Sequence, residues 1–188
     1  QWSEGLEVKV LQRTEELSAS NTMLEQRARE LAIISSIQQG ISASLDFQAI
    51  VELVGDRLRE MLGVQDIGIS WFDVARDQFE FSYAYENGVR LDLAPIRLPR
   101  AARRLMAERK AELYATAAEQ IAGGLGAMPG TAQSKSLVIA PIIGSDRVLG
   151  MISMENYARE HAFGESELRV LSTVGASLGV ALENARLF

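Results

Sequence analysis

The sequence predicts an α/β (α+β) fold in which antiparallel strands pack against long helices. Two short apolar runs, 137–143 and 148–154, are separated by a polar turn at 144–146 that has the residue types of a tight hairpin. A long amphipathic pattern begins near Glu165, where acidic residues favour a helix N-terminus, and another opens the chain. Because a short turn joins antiparallel strands, we expect an antiparallel sheet flanked by helices.

The N-terminal segment carries a heptad repeat that is typical of a coiled coil. Apolar residues recur every seven positions at Val10, Leu17, Leu24 and Leu31. Asn21 occupies the alternate core position, where a polar residue favours a two-stranded partner in fixed register. We therefore predict that residues 1–36 form a coiled-coil helix and a parallel homodimer. The alternative is a single amphipathic helix that folds back on the domain.

The globular domain is predicted to span residues 37–188, and the first helix enters it through Ile33, Ile34, Ile37 and Ile41. After a break around residues 44–46, Asp46 is a plausible N-cap for a second helix, and Gly63 ends that helix. The apolar stripe of this helix consists of Ile50, Leu53, Val54, Leu58, Met61 and Leu62.

The middle of the chain alternates strand patterns with glycine-rich segments. Strands are predicted at 67–72 and 79–86, and the second has four aromatic residues at alternate positions, which places them on one face: Phe79, Phe81, Tyr83 and Tyr85. A third extended segment is expected at 89–98, followed by a short basic helix at 101–110. The segment 115–135 has many glycines and little apolar periodicity, which predicts a mobile loop.

The last helix, about 165–188, has apolar residues on two sides. Leu171 and Leu178 lie on one stripe, whereas Leu168 and Leu182 lie on the other. We expect one stripe to pack on the sheet and the other on a partner helix. Leu171 and Leu178 are therefore predicted at the dimer interface, together with the heptad residues of the first helix.

Composition excludes several classes of function. The 188 residues are 47% hydrophobic, enough for one domain and an appendage. A net charge of −6 without a Lys/Arg-dense stripe argues against nucleic-acid binding. Because the sequence contains no cysteine, it excludes disulfides, thiolate metal sites and cysteine nucleophiles. Because no apolar run reaches about 18 residues and the N-terminus lacks a signal-peptide pattern, we expect a cytoplasmic segment without membrane contact.

No catalytic or metal-binding constellation is predicted. His161 is the only histidine and lies in a polar loop, whereas a metal site needs several convergent ligands. Ser134 and Ser136 lack the basic partner that activates a nucleophilic serine. We therefore expect a surface histidine, no metal, and no enzyme activity.

Four stretches together resemble a GAF domain, a small sensory module found within larger signalling proteins. They are SLVIAPIIGSDRVLGMISMEN with Gly150, FGESEL, ALENARLF, and the upstream SIQQGISASLDFQAIVELVGDRLREMLGVQDIGISWFD. The resemblance implies a GAF-like antiparallel sheet of about five to six strands, with both terminal helices on one side. The stretch VLQRTEELSASNTMLEQ resembles the signalling helices that join input modules to histidine kinases and nucleotide cyclases, which implies a kinase or cyclase output domain outside this sequence.

The resemblance also implies a ligand site between the sheet and the segment from the basic helix to the glycine-rich loop. The candidate contacts are amphipathic tyrosines, a charged anchor and small polar residues: Tyr83, Tyr85, Tyr114, Arg97 or Arg100, Ser136 and Ser153. Alternatively, the aromatic face is plain core and the arginines form a solvated rim. The residues do not indicate which ligand or cofactor binds.

Three ligand chemistries of GAF proteins match this chain poorly. Reduction of free methionine sulfoxide and covalent attachment of a bilin both depend on cysteine, which is absent. A cyclic-nucleotide motif is half matched by Asn156 and Phe163, but Tyr157 stands in its lysine position. Asn156 and Phe163 are more simply interpreted as a strand-end turn and a helix-entry anchor.

These expectations combine into one functional hypothesis. The chain is predicted to be a regulatory module of a multidomain signal-transduction protein, of the two-component type. It binds a small molecule, or relays a signal from a preceding domain, through a helical dimer interface. The alternative is a ligand-free dimerisation or spacer domain.

Overall fold

The computed structural model describes residues 2–42 and 46–186. In chain order, the helices and strands are α1 Trp2–Ser42, α2 Phe47–Leu62, β1 Asp66–Asp73, β2 Gln78–Glu86, β3 Val89–Arg90, β4 Ile96–Arg97, α3 Arg100–Glu108, β5 Glu112–Tyr114, α4 Ala117–Ala122, β6 Ser136–Ile143, β7 Val148–Asn156 and α5 Glu165–Arg186.

The strands form one antiparallel sheet in the order β3-β2-β1-β7-β6-β5, and β4 pairs with the outer part of β2. Helices α1, α2 and α5 cover one side of the sheet, which we call the helix face. Helices α3 and α4 lie on the opposite side, which we call the cavity face. The predicted fold, an antiparallel sheet with the terminal helices on one side, is confirmed.

A large apolar cluster fills the space between the helix face and its helices. Isoleucines of α1 enter it as predicted, and Ile33, Ile37 and Ile41 are all buried. Helix α5 approaches β6 so closely that a Cβ atom on Gly179 would lie 2.0 Å from the carbonyl oxygen of Ile143. Glycine at this position therefore sets the distance between helix and sheet.

The ends of α2 are capped as the sequence predicts. The Asp46 side chain accepts a hydrogen bond from the Ala49 amide at 2.7 Å, and Gly63 adopts a left-handed conformation with φ of 63°. The residues 44–45 of the predicted break lie outside the described residues. At the start of α5, Glu167 accepts a hydrogen bond from the Gly164 amide at 2.8 Å, as in a capping box.

The predicted single aromatic face of β2 is wrong because a β-bulge interrupts the strand. Ile69 lies opposite Tyr83, whereas the next residue, Ser70, lies opposite Phe81, so Ser82 is an extra residue in β2. An extra residue reverses the side-chain alternation. Phe79 and Phe81 therefore belong to the cavity face, and Tyr83 and Tyr85 belong to the helix face.

The segment 115–135 contains more regular structure than the predicted loop. Thr116 caps α4 by accepting a hydrogen bond from the Glu119 amide at 3.1 Å, and Gln120, Leu125 and Ser134 are buried. The sequence does not predict this structure, because the segment is ordered by polar side chains and by contacts with the sheet, and neither produces an apolar periodicity. The basic helix was placed well, as α3, whereas the third extended segment is reduced to β3 and β4.

The expected position of Leu171 and Leu178 at a dimer interface is corrected by their burial. Both are 0% exposed within this chain, because α5 lies between the sheet and helices α1 and α2 and uses both of its stripes there. The heptad residues of α1 are different: Val10, Leu17, Leu24 and Leu31 are 60–65% exposed. Within α1, residues 7–29 are exposed, and burial begins at Glu30.

Candidate functional site

A cavity of about 80 Å³ lies between the cavity face of the sheet and residues 120–134, which we call the cover. Its floor comes from the centre of the sheet, where β1 and β7 carry small residues. A Cβ atom on Gly68 would lie 2.4 Å from Ser153 Oγ, so glycine at this position allows the Ser153 side chain to lie close against β1. The space therefore follows from side-chain size in two central strands.

One end of the cavity is apolar. Phe79 and Phe81 contact each other edge to face with ring centroids 4.9 Å apart, and Met128 of the cover and Met151 of β7 complete this end. Methionine adapts its shape more readily than branched side chains do. This end is suited to the apolar part of a small molecule.

Two serine hydroxyls line the floor without a protein partner. Ser70 is 3% exposed and Ser153 is 7% exposed, and neither side chain hydrogen-bonds to another described residue. No fully buried side-chain nitrogen or oxygen among the described residues lacks a partner, so both hydroxyl oxygens reach the open space of the cavity. Both hydroxyls are therefore available to a molecule inside the cavity.

The opposite end of the cavity is acidic. Glu155 of β7 lies directly across from Asp66 of β1, and the Tyr157 hydroxyl donates a hydrogen bond to Glu155 Oε2 at 3.0 Å. Burial raises the pKa of Glu155, and the nearby carboxylates of Asp66 and Glu86 raise it further. Burial also raises the pKa of Asp66, although hydrogen bonds from the Gly88 and Asn87 amides partly offset this effect. The pKa of Tyr157 is raised by burial and by Glu155.

The cover is attached to the domain by a network around Gln120, which is buried. Its Nε2 donates to the Ser134 carbonyl at 3.1 Å, and its Oε1 accepts from Ser134 Oγ at 3.0 Å and from Gln133 Nε2 at 2.8 Å. The Ala132 amide donates to Glu86 Oε2 at 3.1 Å. These bonds join α4, the end of the cover and β2 around the acidic end.

Of the six residues expected to contact a ligand, Ser153 lines the cavity from the cavity face, and Tyr85 borders it although its ring packs on the helix face beneath the Arg59 guanidinium. Tyr83 is buried on the helix face instead, where its hydroxyl donates to Asp56 at 2.7 Å and its pKa is raised by burial and by that carboxylate. Ser136 also faces the helix side, and its Oγ donates to the Arg159 carbonyl at 3.2 Å. The bulge in β2 explains the position of Tyr83, and strand alternation explains that of Ser136.

Arg97 and Tyr114 are removed from the cavity by ion-paired networks. Arg97 is exposed, and its Nε lies 2.5 Å from Asp77 Oδ2. The Tyr114 hydroxyl donates to Glu112 and accepts from Arg104 at 2.6 Å. Burial and the Glu112 carboxylate raise the pKa of Tyr114 to about 12. Arg100, the alternative anchor, is exposed at the start of α3.

Sequence reasoning missed Ser70, Glu155, Tyr157 and the apolar pair on the cavity face. A usable signal existed in β7, because Ser153 and Glu155 are polar residues two positions apart in an otherwise apolar strand. Such residues share one face, and in a central strand a polar pair requires an explanation. The position of Ser70 follows only from the register of β1 against β7.

The remaining polar candidates have local roles. His161 lies in an exposed loop with φ of 52°, and its amide donates to the Ala115 carbonyl at 2.7 Å. Asn156 Oδ1 accepts from the Ala158 and Arg159 amides at 3.0 and 2.9 Å, which makes the strand-end turn. Phe163 packs against the large core cluster. No group of potential metal ligands occurs within residues 2–42 and 46–186. Within the same ranges, no helix has the length and apolarity needed to cross a membrane.

Solved structures with this arrangement share the fold at low sequence identity. The GAF domain of a phosphoenolpyruvate-protein phosphotransferase from Coxiella burnetii is 18% identical, with a TM-score of 0.71 over 85% of this chain and 96% of that chain. Free methionine-R-sulfoxide reductase from Neisseria meningitidis, in complex with its substrate, is 16% identical, with a TM-score of 0.67 over 84% and 90%. The GAF domain of a putative sensor histidine kinase from Pseudomonas syringae is 14% identical, with a TM-score of 0.61 over 89% and 94%.

The antiparallel sheet, the helices on its two faces and the cavity define a small α/β domain. The chain belongs to the GAF domain family, whose family model matches residues 44–183. GAF domains are sensory or regulatory modules in signalling proteins, and some bind ligands. They are typically regulatory, although a structural neighbour is an enzyme. A search of curated proteins found no match.

Proposed function

We propose that this chain is the sensory module of a multidomain signal-transduction protein and that a small molecule occupies the cavity. The observation that carries the proposal is a cavity lined by two serines, each less than a tenth exposed, whose hydroxyls have no hydrogen-bond partner among the described residues. A spacer domain would fill such a space with apolar side chains, because an empty cavity reduces stability. This chain retains the cavity and the two hydroxyls that line it, which favours a sensor over a spacer.

The signal would leave the domain through α1 and α5. Glu30 of α1 is nearly buried, and it accepts hydrogen bonds from Arg169 at 2.9 Å and from Ser166 at 2.7 Å, both in α5. Further along, Gln38 Nε2 donates to Ser177 Oγ at 3.0 Å. Since α5 also packs on β6, a change in the sheet can reach α1 through these contacts.

The segment of α1 before Glu30 would transmit that change to a second copy of the chain. Its heptad leucines are exposed in a continuous stripe, and a coiled-coil partner would bury them. In this proposal, residues 1–36 are the signalling helix and 37–188 the sensory domain, while a kinase or cyclase output domain lies beyond this sequence. Of these two alternatives, the structural similarity to the GAF domain of a putative sensor histidine kinase supports a kinase output domain. The chain itself has no enzymatic role, and its location is cytoplasmic.

Native mass spectrometry of the purified chain, compared with its denatured mass, tests ligand and dimer together. We expect a dimer that carries additional mass, which is released on denaturation. Additional mass that remains after Ser153→Phe, a change that fills the cavity, would contradict the cavity as the site. A chain that never retains or binds any small molecule would favour the spacer.

The dimer is tested separately by replacing Leu17, Leu24 and Leu31 with asparagine. We expect a folded monomer in analytical ultracentrifugation, because the exposed stripe would lose its apolar contacts. Replacement of Glu15, Thr22 and Arg29 with asparagine provides a control on the same helix, since those positions lie on its outer face, away from the predicted seam and its flanks. A triple leucine variant that remains dimeric would refute this interface.

A further inference from the structure

The cavity has two chemically different ends, and the order of residues across its floor connects them. In antiparallel strands, directly opposed residues project from the same face. The register of β1 and β7 places three pairs in succession: Asp66 with Glu155, Gly68 with Ser153, and Ser70 with Met151. The floor therefore changes from the Glu155 carboxylate, beside Asp66, to the serine hydroxyls and then to the apolar side chain of Met151 over three rows.

The acidic end has no positive partner among the described residues. Asp66, Glu86 and Glu155 form no ion pair within 4 Å there, and the groups that donate hydrogen bonds to them are neutral: the Gly88, Asn87 and Ala132 amides and the Tyr157 and Ser134 hydroxyls. Burial raises the pKa of Asp66, and the positive charge of Arg59 partly offsets this effect without an ion pair between the two side chains. The Arg59 guanidinium lies 3.7 Å above the centre of the Tyr85 ring, and Arg59 Nε donates a hydrogen bond to the Gln65 carbonyl. The negative charges of three adjacent carboxylates repel one another in a partly buried site. A cation would reduce this repulsion and would therefore be attracted to the acidic end.

The two serine hydroxyls provide an independent indication of a ligand. Ser153 precedes Glu155 by two residues on the same face, and Ser70 lies one row further along the floor. Both side chains are more than nine-tenths buried and line the cavity without a bond to another described residue. A molecule that extends from Glu155 toward Met151 would pass both hydroxyls.

We propose that the cavity binds a small organic amine, with its ammonium group at Glu155 and its apolar part between Phe81 and Met128. This inference rests on the proposed function, because it names the ligand class of the same cavity. The ammonium donates hydrogen bonds to Glu155 and is attracted by Asp66 and Glu86, while Ser153 contacts the next atoms. The small size of the cavity favours a compact amine.

The test compares molecules of the same shape and different charge. Butylamine, butanol and butyrate form one set, and phenethylamine, phenethyl alcohol and phenylacetate form another. Titrations are followed by ¹H–¹⁵N NMR at the backbone amides of Ser70, Ser153 and Glu155. We expect the amines to shift these signals and saturate, the alcohols to bind at least about tenfold more weakly, and the carboxylates to produce no shift.

A pair of charge-matched variants assigns the effect to the acidic end. Glu155→Gln removes the carboxylate from the cavity, and Glu160→Gln makes the same change in an exposed loop. We expect amine binding to weaken at least about tenfold in Glu155→Gln and to be unchanged in Glu160→Gln. Should Glu155→Gln fail to fold, the comparison of charged and neutral ligands on the unaltered protein decides the question.

Two results would overturn the proposal that the cavity binds an amine. One is alcohol or carboxylate binding at these amides that equals or exceeds amine binding, and the other is the absence of amine-induced shifts at the highest soluble concentration. Neither result decides whether the chain is a sensor, because that function is judged by the mass retained in native mass spectrometry. A retained acid or neutral molecule would therefore refute the ligand class and support the sensor.

Discussion

The two faces of the sheet are built from the same strands but differ in how completely they are filled. On the helix face, a single cluster joins α1, α2 and α5 to the strands, and Gly175 and Gly179 allow α5 to touch β6. On the cavity face, a smaller cluster surrounds an open space lined by two serine hydroxyls without protein partners and by the half-buried Glu155. The helix face is closely packed, whereas the cavity face is less completely filled at the positions that a ligand could contact, which lowers the stability of the ligand-free domain.

The comparison also separates residues that are alike in sequence. Tyr83 and Phe81 are both aromatic residues of β2, yet Tyr83 closes the core with a hydroxyl bonded to Asp56 and Phe81 forms a cavity wall. Ser136 and Ser70 are both buried strand serines, yet only Ser136 has a hydrogen-bond partner among the described residues. Which face a residue occupies therefore determines its role more than its chemical type does.

The largest expected effect is a loss of stability when the helix face is opened. Leu178→Ala removes a fully buried side chain from the centre of the large cluster, and we expect the free energy of unfolding to fall by about 2–5 kcal/mol. Val74→Ala, at an exposed position of the β1–β2 loop, should change it by less than about 0.5 kcal/mol. Urea denaturation followed by circular dichroism, at one protein concentration, measures both. Equal small effects would show that the helix face is not closely packed.

A smaller effect of opposite sign is expected when the charge is removed from the cavity. Because the folded-state pKa of Glu155 is raised, its carboxyl favours the folded protein below the unfolded pKa, and that contribution is lost as pH rises through the folded pKa. Glu155→Gln should therefore be more stable than the unaltered protein at pH 8, by about 0.5–2 kcal/mol. The difference should shrink toward pH 4.

Ligand-free protein is required for this comparison, and Glu160→Gln serves as its control, since the charge change is the same and the side chain is exposed. Thermal unfolding across the pH range provides the measurement. A Glu155→Gln variant that is less stable than the unaltered protein at pH 8 would mean that the carboxylate is satisfied within the domain. The two faces of the sheet would then differ in packing but not in the presence of an unsatisfied carboxylate.

The sequence predicted the elements well where short-range patterns determine them. The cap at Asp46, the left-handed end at Gly63 and the antiparallel sheet with its flanking helices follow from local residue types and periodicity. The faces of β2 could not be predicted, because the bulge at Ser82 depends on pairing with β1 and has no local signal. One inserted residue was enough to move Tyr83 from the expected site to the core.

The candidate site was predicted only in part for the same reason. Its location between the sheet and the glycine-rich segment came from the family resemblance; Ser153 lies there, whereas Tyr85 borders the cavity with its ring on the helix face. Arg97 was expected as an anchor because a charged residue near a loop is a common ligand contact, but Asp77 holds it at the surface. Long-range ion pairs of this kind are set by tertiary structure and leave no spacing pattern in the sequence.

The smallest expected effect distinguishes two serines that differ only in the face they occupy. Ser136→Ala removes a hydroxyl that donates to the Arg159 carbonyl at 3.2 Å, and we expect a loss of about 1 kcal/mol in the free energy of unfolding. Ser70→Ala removes an unpaired hydroxyl from the cavity, so its effect on ligand-free protein should lie within about 0.5 kcal/mol of zero or be stabilising. Both changes delete one oxygen atom at buried strand positions, which makes each the control for the other. A loss at Ser70 as large as that at Ser136 would mean that the cavity hydroxyl already has a partner, such as an ordered water, in the ligand-free state. The cavity face would then be as fully satisfied as the helix face, and the argument for a sensor would rest on the open space alone.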